Sequence, residues 1–353
     1  MAQGMDDLDR QILNVIQSSF PLVDEPYSVI GDQVGLSSEE IVDRIHALKK
    51  IHVVRQISAI FDTRRLGYKT SLVAMRFPQE RLHKAALHIN RHPGVSHNYE
   101  RTGHFNLWFT IAVPPNDDLA AVIERMGVDE GAEAVRMMPT IRFFKIGVNF
   151  DMVTRRGASK EYYSPDGYGK KGEGEALKNW NKVEPVTDFE IDVIRELQED
   201  VPLEPRPFDE MSARLGITNV ALFGYAADFV ERGIMRRFSA VLHHRRAGFR
   251  SNAMAVWRVD NERSEEVGLK MAQHPAVSHC YERPTFPDWP YTHFSMIHAV
   301  SQTECEEIAA EISEMTGIDD FQLLYSTREY KKTRVRYFVE HEFERATASA
   351  SSK

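Results

Sequence analysis

Two short segments of this chain place a histidine, a tyrosine and an arginine at every second position. Alternate side chains of a β-strand point to one face, so each segment would present these groups in a row, opened by Val95 and Val277. The rows are His97, Tyr99 and Arg101, and then His279, Tyr281 and Arg283. Such a row can transfer protons and bind carboxylates. The alternative is a half-solvated strand whose polar tips face water.

The two rows are parts of a longer internal repeat. Residues 92–101 and 274–283 are identical at eight of ten positions, and residues 55–68 recur as 236–249 at nearly the same spacing. Repeats of this length indicate duplicated domains rather than solenoid units. A hydrophobic core alone would not need the shared histidines, arginines and tyrosines, so the repeat favours a functional surface in both copies.

Basic residues cluster before the first predicted sheet strand of each copy. The arginine candidates are Arg55, Arg64 and Arg65 in the first copy, and Arg236, Arg245 and Arg246 in the second. The second copy also has His243 and His244 where the first has Asp62 and Thr63. One of these histidines beside an arginine could act as an acid or base next to an anion clamp. A metal centre is not expected, because no third ligand follows at a diagnostic spacing. The alternative is a solvated sheet edge.

An aromatic loop distinguishes the second copy from the first. Between residues 283 and 294 it holds three prolines together with Trp289 and Tyr291. Aromatic rings on a stiff loop suit stacking on a flat ligand, which makes Trp289 a candidate for substrate binding. An aromatic lid over a hydrophobic core would carry the same residues.

Composition limits the class of protein. The chain has 353 residues, a formal net charge of −8 and two cysteines, Cys280 and Cys305. Two cysteines exclude a disulfide framework and a Cys-rich zinc or iron–sulfur site. The acidic N-terminus lacks the apolar stretch of a signal peptide, and no apolar run approaches the roughly 20 residues that span a bilayer. We therefore expect a cytoplasmic protein without membrane association.

Hydrophobic periodicity predicts the same order of elements in each copy. Three short helices with a glycine between the second and third indicate a winged helix-turn-helix, and the βαββαβ pattern that follows is ferredoxin-like. The expected fold class is α+β, with two tandem copies of this pair of domains related by a pseudo-two-fold axis. The two sheets are expected to pack face to face, because each needs a partner for its helix-free face.

The predicted boundaries follow from these patterns. The domains are a helix-turn-helix at 1–60, a ferredoxin-like domain at 61–150, a linker at 151–185, a second helix-turn-helix at 186–241 and a second ferredoxin-like domain at 242–345. The last strand of each ferredoxin-like copy is expected at 134–145 and at 322–327.

The third helix of each helix-turn-helix lacks the positive charge that DNA binding requires. Glu39, Glu40 and Asp43 offset the basic residues of the first such helix, and residues 219–229 of the second contain no lysine or arginine. A helix that enters a major groove needs basic side chains near the phosphates. We therefore expect no DNA partner despite the helix-turn-helix pattern.

On these motifs the chain resembles the siroheme decarboxylases, relatives of the Lrp/AsnC regulators, in a form that fuses two subunits. The segments that carry the resemblance are 93–99, 106–110, 245–249, 252–254, 277–284 and 287–291. The resemblance covers nearly the whole chain outside the linker and tail. It implies removal of the carboxyl groups of two acetate side chains of siroheme, which gives 12,18-didecarboxysiroheme and CO2 in haem or haem d1 biosynthesis.

The resemblance implies roles for the candidate residues. The candidate proton donors are His97, His243, His244 and His279. The candidates for substrate binding are Arg55, Arg64, Arg65, Tyr99, Arg101, Arg236, Arg245, Arg246, Tyr281, Arg283 and Trp289. Siroheme is the substrate, and its conjugated ring can take up the electron pair, so no further cofactor is expected. The expected partners are siroheme and its products, and a homo-oligomer is compatible with the sequence.

Two other functions fit the same motifs. A ligand-responsive transcription regulator of the Lrp/AsnC type would bind DNA, and a haem-type sensor would bind the tetrapyrrole without catalysis. The charge of the third helices argues against the regulator, whereas only turnover separates the sensor from an enzyme. The second copy holds more acid/base groups and the aromatic loop, so we expect it to contain the main site.

Overall fold

The computed structural model describes residues 5–146, 163–164, 167–168, 182–242 and 251–339. The described residues form two compact units that group like domains together. The first unit contains Met1–Leu66, Gly147–Ser251 and Ala299–Ser301, and the second contains Gly67–Ile146, Asn252–His298 and Gln302–Lys353. The helix-turn-helix segments of both copies therefore share one unit, and their ferredoxin-like segments share the other.

Both copies follow the same order of helices and strands. The described helices are α1 (Asp7–Ser18), α2 (Pro26–Val34), α3 (Ser38–Lys50), α4 (Gln79–Ile89), α5 (Leu119–Glu130), α6 (Asp188–Leu197), α7 (Asp209–Leu215), α8 (Asn219–Glu231), α9 (Ser264–Gln273) and α10 (Gln302–Thr316). The described strands are β1 (Val54–Phe61), β2 (Lys69–Arg76), β3 (Val95–Arg101), β4 (Leu107–Val113), β5 (Ala134–Met138), β6 (Arg142–Ile146), β7 (Tyr163–Ser164), β8 (Gly167–Tyr168), β9 (Met235–Leu242), β10 (Ser251–Trp257), β11 (Val277–Glu282), β12 (His293–Ala299) and β13 (Phe321–Lys332). The α+β class with two copies of each domain is confirmed. None of the described helices is long and apolar enough to cross a membrane.

Local sequence sets the ends of the helices in the first unit. At the start of α3 the Ser37 hydroxyl accepts a hydrogen bond from the Glu40 N–H at 3.3 Å, and the Glu40 carboxylate accepts one from the Ser37 N–H at 2.8 Å. Thr187 and Glu190 form the same capping box at the start of α6. Gly35 ends α2 with a φ of 74°, in the left-handed region that favours glycine. The turn between α2 and α3 is thus fixed at both sides by its own residues.

A strand pair joins the two copies within the first unit. β1 of the first copy runs antiparallel to β9 of the second, with Ser58 opposite Ser239. The repeated segments that contain Arg55 and Arg236 are therefore strands, which the hydrophobic pattern did not predict. Pairing between copies explains why both segments keep the same length.

The second unit holds one sheet built from both copies. Its strands follow the order β5-β2-β4-β3-β13-β10-β12-β11-β6-β7-β8. β13 pairs first with β10 of its own copy and then with β3 of the other copy. In the reverse direction, β5 pairs with β2 of its own copy and β6 pairs with β11 of the other. Only residues 139–141 separate β5 from β6 along the chain, although the two strands pair with different copies.

This exchange of strands corrects the predicted last strands. The strand expected at 134–145 is interrupted at 139–141, where Pro139 cannot donate a ladder hydrogen bond. The strand expected at 322–327 extends to Lys332, because its second half pairs with β3 of the other copy. The hydrophobic pattern within one copy carries no information about that partner.

Two hydrophobic cores flank the sheet in the first copy. On one face, Leu82 and Ile89 of α4 pack against Phe109 of β4. On the other face, a core shared by both copies lies between the two halves of the sheet. Its buried members include Ala74, Trp108, Met254, Val256, Phe294 and Leu324. The two copies were expected to form separate sheets that pack face to face. They do share this core, but hydrogen bonds join their strands into one sheet.

Candidate active site

A β-bulge in each copy turns the histidine row toward the core that both copies share. On β3 the register shifts between Val95 and His97, and β11 shifts at the matching place after Val277. Val95 packs in the core under α4, whereas Tyr99 pairs with Trp108 of the core between the sheets. The prediction that the two valines share the face of the histidines is wrong, because the extra residue of the bulge reverses the alternation.

Each row is a stack of three side chains. The ring centroids of His97 and Tyr99 lie 6.4 Å apart with their planes at 30°, and the Arg101 guanidinium lies 5.2 Å from the Tyr99 ring centroid. The second row repeats the stack with 6.1 Å and 27° between its two rings, and with 4.9 Å between guanidinium and tyrosine ring. The three groups of each row therefore share one face. We call these stacks the first row and the second row.

Both row arginines reach across to a backbone carbonyl of the other copy. Arg101 Nη1 donates to the Leu324 carbonyl oxygen at 3.2 Å, and Arg283 Nη1 donates to the Met138 carbonyl oxygen at 2.6 Å. The two arginines are only 7% and 8% exposed. A guanidinium has five N–H donors, so the group that holds a carbonyl can also bind a carboxylate. Each row is thus fixed against the opposite copy.

A serine precedes each row histidine and orients its ring. His97 Nδ1 lies 3.1 Å from Ser96 Oγ, and His279 Nδ1 lies 2.9 Å from Ser278 Oγ. Ser96 Oγ also lies 2.9 Å from Thr110 Oγ1, whereas Ser278 donates to a backbone carbonyl of β12 at 3.3 Å. With Nδ1 held by its serine, Nε2 is the nitrogen through which each imidazole can exchange a proton with a bound molecule.

A third histidine, which sequence analysis missed, joins the second row. His298 lies two residues after Met296, the residue of β12 that pairs with His279. The pKa of His298 is lowered to about 3, mainly by burial and in addition by the charges of His279, Lys332 and Arg101. The second row therefore has an additional imidazole, which is neutral at pH 7.

The search for residues shared by the two copies could not identify His298. The matching residue of the first copy is Ala112, which follows Ile111 as His298 follows Ile297. A comparison of shared residues discards a position that the copies do not share. The available signal was alternation along β12, which places His298 on the same face as Phe294.

A buried lysine, Lys145, and a half-buried one, Lys331, hold the turns that precede the rows. Lys145 Nζ donates to the His274 carbonyl oxygen at 3.2 Å. Lys331 Nζ donates to the carbonyl oxygens of Asn90 at 2.8 Å and His92 at 3.2 Å. Burial lowers the pKa of both ammonium groups, that of Lys145 to about 8. Each lysine binds a turn of the other copy. Each copy therefore stabilises the turn that precedes the row of the other copy.

The first histidine of each repeated motif shapes the same turn. His92 Nδ1 accepts a hydrogen bond from the Gly94 N–H at 3.1 Å, and His274 Nδ1 accepts one from the Ala276 N–H at 3.2 Å. Part of the shared histidine content therefore supports the turn rather than the rows.

The predicted arginines of the first unit lie among carboxylates. Arg64 Nη2 and Arg236 Nη2 donate to Asp62 at 3.2 Å and 2.9 Å, and Arg65 Nη1 donates to Glu184 at 2.8 Å. Burial alone would raise the pKa of the Asp62 carboxyl, but the charges of Arg236 and Arg64 hold it well below its usual range. Three of the predicted substrate-binding arginines thus have protein carboxylates as partners.

Five candidates of this region remain. Arg55 lies on β1 in the same unit. His243, His244, Arg245 and Arg246 lie outside the described residues, so their roles stay predictions. Within the described ranges, no three or more His, Cys, Asp or Glu side chains are grouped so as to hold a metal ion.

Trp289 lies in the core between the sheets. It is 2% exposed, and its ring centroid lies 5.3 Å from that of Trp108. Two backbone hydrogen bonds with Phe286 close its loop, and Asp288 accepts hydrogen bonds from Arg136 at 2.9 Å and 2.8 Å. This packing favours the alternative that the aromatic loop covers a core over the hypothesis that Trp289 stacks on a ligand.

Both kinds of domain match known family models. A model described as an AsnC-like ligand binding domain matches residues 65–145 and 246–331. A model described as a siroheme decarboxylase NirDL-like HTH domain matches residues 9–55 and 190–236. A siroheme decarboxylase from Hydrogenobacter thermophilus is 40% identical over 95% of this chain and 96% of its own length. The chain belongs to the siroheme decarboxylase family.

Other siroheme decarboxylases are similar to this chain, either over nearly its whole length or over less than half of it. A crystal structure of the siroheme decarboxylase NirDL is 34% identical with a TM-score of 0.70, covering 98% of this chain and all of that one. A second structure of NirDL, in co-complex with an iron-uroporphyrin III analogue, also has a TM-score of 0.70 at 33% identity and covers the same shares. A siroheme decarboxylase beta subunit from Methanosarcina barkeri is 42% identical over 42% of this chain and 97% of its own length.

Proposed function

We propose that this chain decarboxylates two acetate side chains of siroheme to give 12,18-didecarboxysiroheme and two molecules of CO2. The observation that carries the proposal is the pair of rows, each with an imidazole oriented by a serine and a guanidinium anchored to the opposite copy. Membership of the siroheme decarboxylase family supports it, and so does the complex of the related NirDL with an iron-uroporphyrin III analogue.

The rows supply what the reaction requires. In each decarboxylation the bond between the acetate methylene and its carboxylate carbon breaks, CO2 leaves, and the electron pair passes to the pyrrole side. A proton then forms a new C–H bond and leaves a methyl group. His97 and His279 are the described imidazoles from our candidate donors, and Nε2 is the atom that would hold the proton. His243 and His244 remain candidates for the same role.

In this proposal the arginines bind the carboxylates of siroheme. Siroheme carries several carboxylates, and bidentate pairing with a guanidinium would orient the ring as well as bind it. Arg101 and Arg283 lie beside the row tyrosines and are the best placed of the described candidates. The conjugated ring of the substrate accepts the electron pair, so we propose that no separate cofactor takes part.

The same proposal has consequences for partners and location. We infer that the chain acts on siroheme in the cytoplasm and uses its helix-turn-helix unit for packing rather than for DNA. The acidic face of α3 and the apolar face of α8 support this use. The fused arrangement also lets the copies exchange strands without a second chain, so a homo-oligomer is not needed to complete the sheet.

Turnover is the decisive experiment. Purified protein is incubated anaerobically with siroheme, and the tetrapyrrole is then analysed by mass spectrometry. We expect loss of two CO2 units, with the singly decarboxylated species as an intermediate. The control is the variant that combines His97→Ala with His279→Ala. Binding of siroheme without any mass loss would instead support a non-catalytic tetrapyrrole sensor.

A further inference from the structure

His298 faces the same space as the second row. β12 pairs with β11 through Met296 opposite His279, and His298 follows on the same face. Side chains in this diagonal relation on neighbouring strands lie within about 7–8 Å of one another. The backbone N–H of His298 lies 3.4 Å from the Ala276 carbonyl oxygen, which places it beside the turn before β11.

Both copies contribute basic groups around His298. His279 comes from β11 of its own copy, Arg101 comes from β3 of the other copy, and Lys332 ends the exchanged strand β13. In the strand register Lys332 lies opposite His97. His298 and the three basic side chains whose charges act on it come from four strands, and such a set suits an anionic substrate with several carboxylates.

We propose that His298 is a second proton donor of the reaction, acting beside His279. This inference rests on the proposed decarboxylation of siroheme. Two acetates lose CO2 in a full reaction, so two protons are consumed, and two imidazoles in one region can supply them. The first row has Ala112 at the matching place and therefore has no such pair.

Charge explains how the half-buried, neutral imidazole of His298 can become a donor. Without substrate, burial and three neighbouring bases keep His298 unprotonated at neutral pH. A bound carboxylate beside these bases offsets their charge, which raises the pKa of the imidazole and favours proton uptake from solvent. His298 then gives this proton to the carbon that loses CO2, returns to neutral imidazole, and is protonated again from water.

The test uses His298→Gln, which keeps a polar side chain of similar size but cannot act as an acid near neutral pH. We expect kcat for siroheme loss to fall by about 10²–10⁴-fold, while KM changes by less than about tenfold. The high-pH limb of the wild-type pH profile, where the donor loses its proton, should disappear in the variant. His83→Gln is the matched control, because His83 is exposed on α4 of the same unit.

Added imidazole separates chemistry from packing. In His298→Ala the side-chain space is vacant, and we expect imidazole to restore activity by at least about tenfold, with no such effect on the wild type. Full activity of His298→Gln with an unchanged pH profile would overturn the proposal. Loss of activity without rescue and without a change in the pH profile would overturn it too, because that result indicates a structural role. If the wild type itself leaves siroheme unchanged, the proposed function fails first.

Discussion

The two ferredoxin-like copies keep the same row and differ in what lies beside it. Both rows have a bulge, a serine next to the histidine, and an arginine anchored to the opposite copy. The first row is bordered on β4 by Thr110 and Ala112, whereas the second is bordered on β12 by Met296 and His298. Duplication has therefore retained the support of the row while the neighbouring strand has changed, which predicts unequal catalytic roles.

The prediction with the largest expected effect compares the catalytic roles of the two row histidines. Because the second row has the additional imidazole, we expect His279→Ala to lower kcat for siroheme loss by on the order of 10²–10⁴-fold while tetrapyrrole binding is largely kept. His97→Ala should have a smaller effect. The measurements are steady-state turnover by mass analysis and binding by absorbance. Inactivity of His97→Ala alone would place the chemistry in the first row and reverse the comparison.

The same contrast shows what sequence patterns could and could not predict. The two segments with alternating histidine, tyrosine and arginine were correctly predicted to be strands, because clear alternation marks them. The reversal of Val95 was missed, because a bulge depends on the partner strand and leaves no mark in the residue pattern. β1 and β9 were missed because each is completed by the other copy.

The grouping of the candidate residues was predictable where both copies agree. The shared spacing identified the six row residues, and the structure brings the three of each row into one stack. Arg64 and Arg236 were proposed from charge alone, but sequence could not show that both bind Asp62, which lies far from Arg236 along the chain. His298 was missed because the copies do not share it, and the two lysines were missed because their role depends on contacts between copies.

The turns that precede the two rows provide a second comparison, which concerns how stability depends on pH. Burial and Lys331 lower the pKa of His92 to about 4, whereas His274 lies 3.1 Å from the Glu311 carboxylate. The unfolded chain protonates such a histidine near pH 6.5, and the folded chain does so only near pH 4. Stability from His92 is therefore present above about pH 6.5 and is lost as the pH falls toward 4, by up to about 3 kcal/mol.

Paired substitutions measure this pH effect. We expect His92→Asn to flatten the fall in unfolding free energy between pH 6.5 and 4, determined by urea denaturation. His274→Asn is the matched control, because it alters the same turn hydrogen bond beside a carboxylate instead of an ammonium. Equal slopes in the wild type and His92→Asn would show that His92 does not carry the acid sensitivity.

The row arginines should give a smaller and nearly symmetric effect on stability. Replacing Arg283 with methionine leaves the Met138 carbonyl without this donor, and replacing Arg101 does the same to Leu324. We expect each variant to lose about 1–3 kcal/mol of unfolding free energy and to bind siroheme more weakly. Denaturation and absorbance titration provide the two measurements. A loss confined to one variant would mean that only one copy depends on its anchor.

The smallest expected effect concerns the third helices of the two helix-turn-helix copies. The exposed face of α3 carries Glu39, Glu40 and Asp43, and that of α8 carries Val220 and Ala227. Neither pattern supplies the cations that contact phosphates, and the chain as a whole has a net charge of −8. We therefore expect no sequence-specific binding to DNA at physiological salt.

A footprinting experiment on the chain's own promoter region tests this expectation at sub-micromolar protein. The informative control is the double variant Val220→Lys and Ala227→Lys, which adds two positive charges to the exposed face of α8. If charge is what the helix lacks, this variant should bind DNA weakly and lose that binding as salt rises, because each phosphate contact releases counterions. A specific footprint by the wild type would show that the helix-turn-helix unit has kept a regulator's function beside the enzyme's. No footprint by the wild type, with salt-sensitive binding by the variant, would show that the fold remains able to approach DNA and that its side chains prevent it.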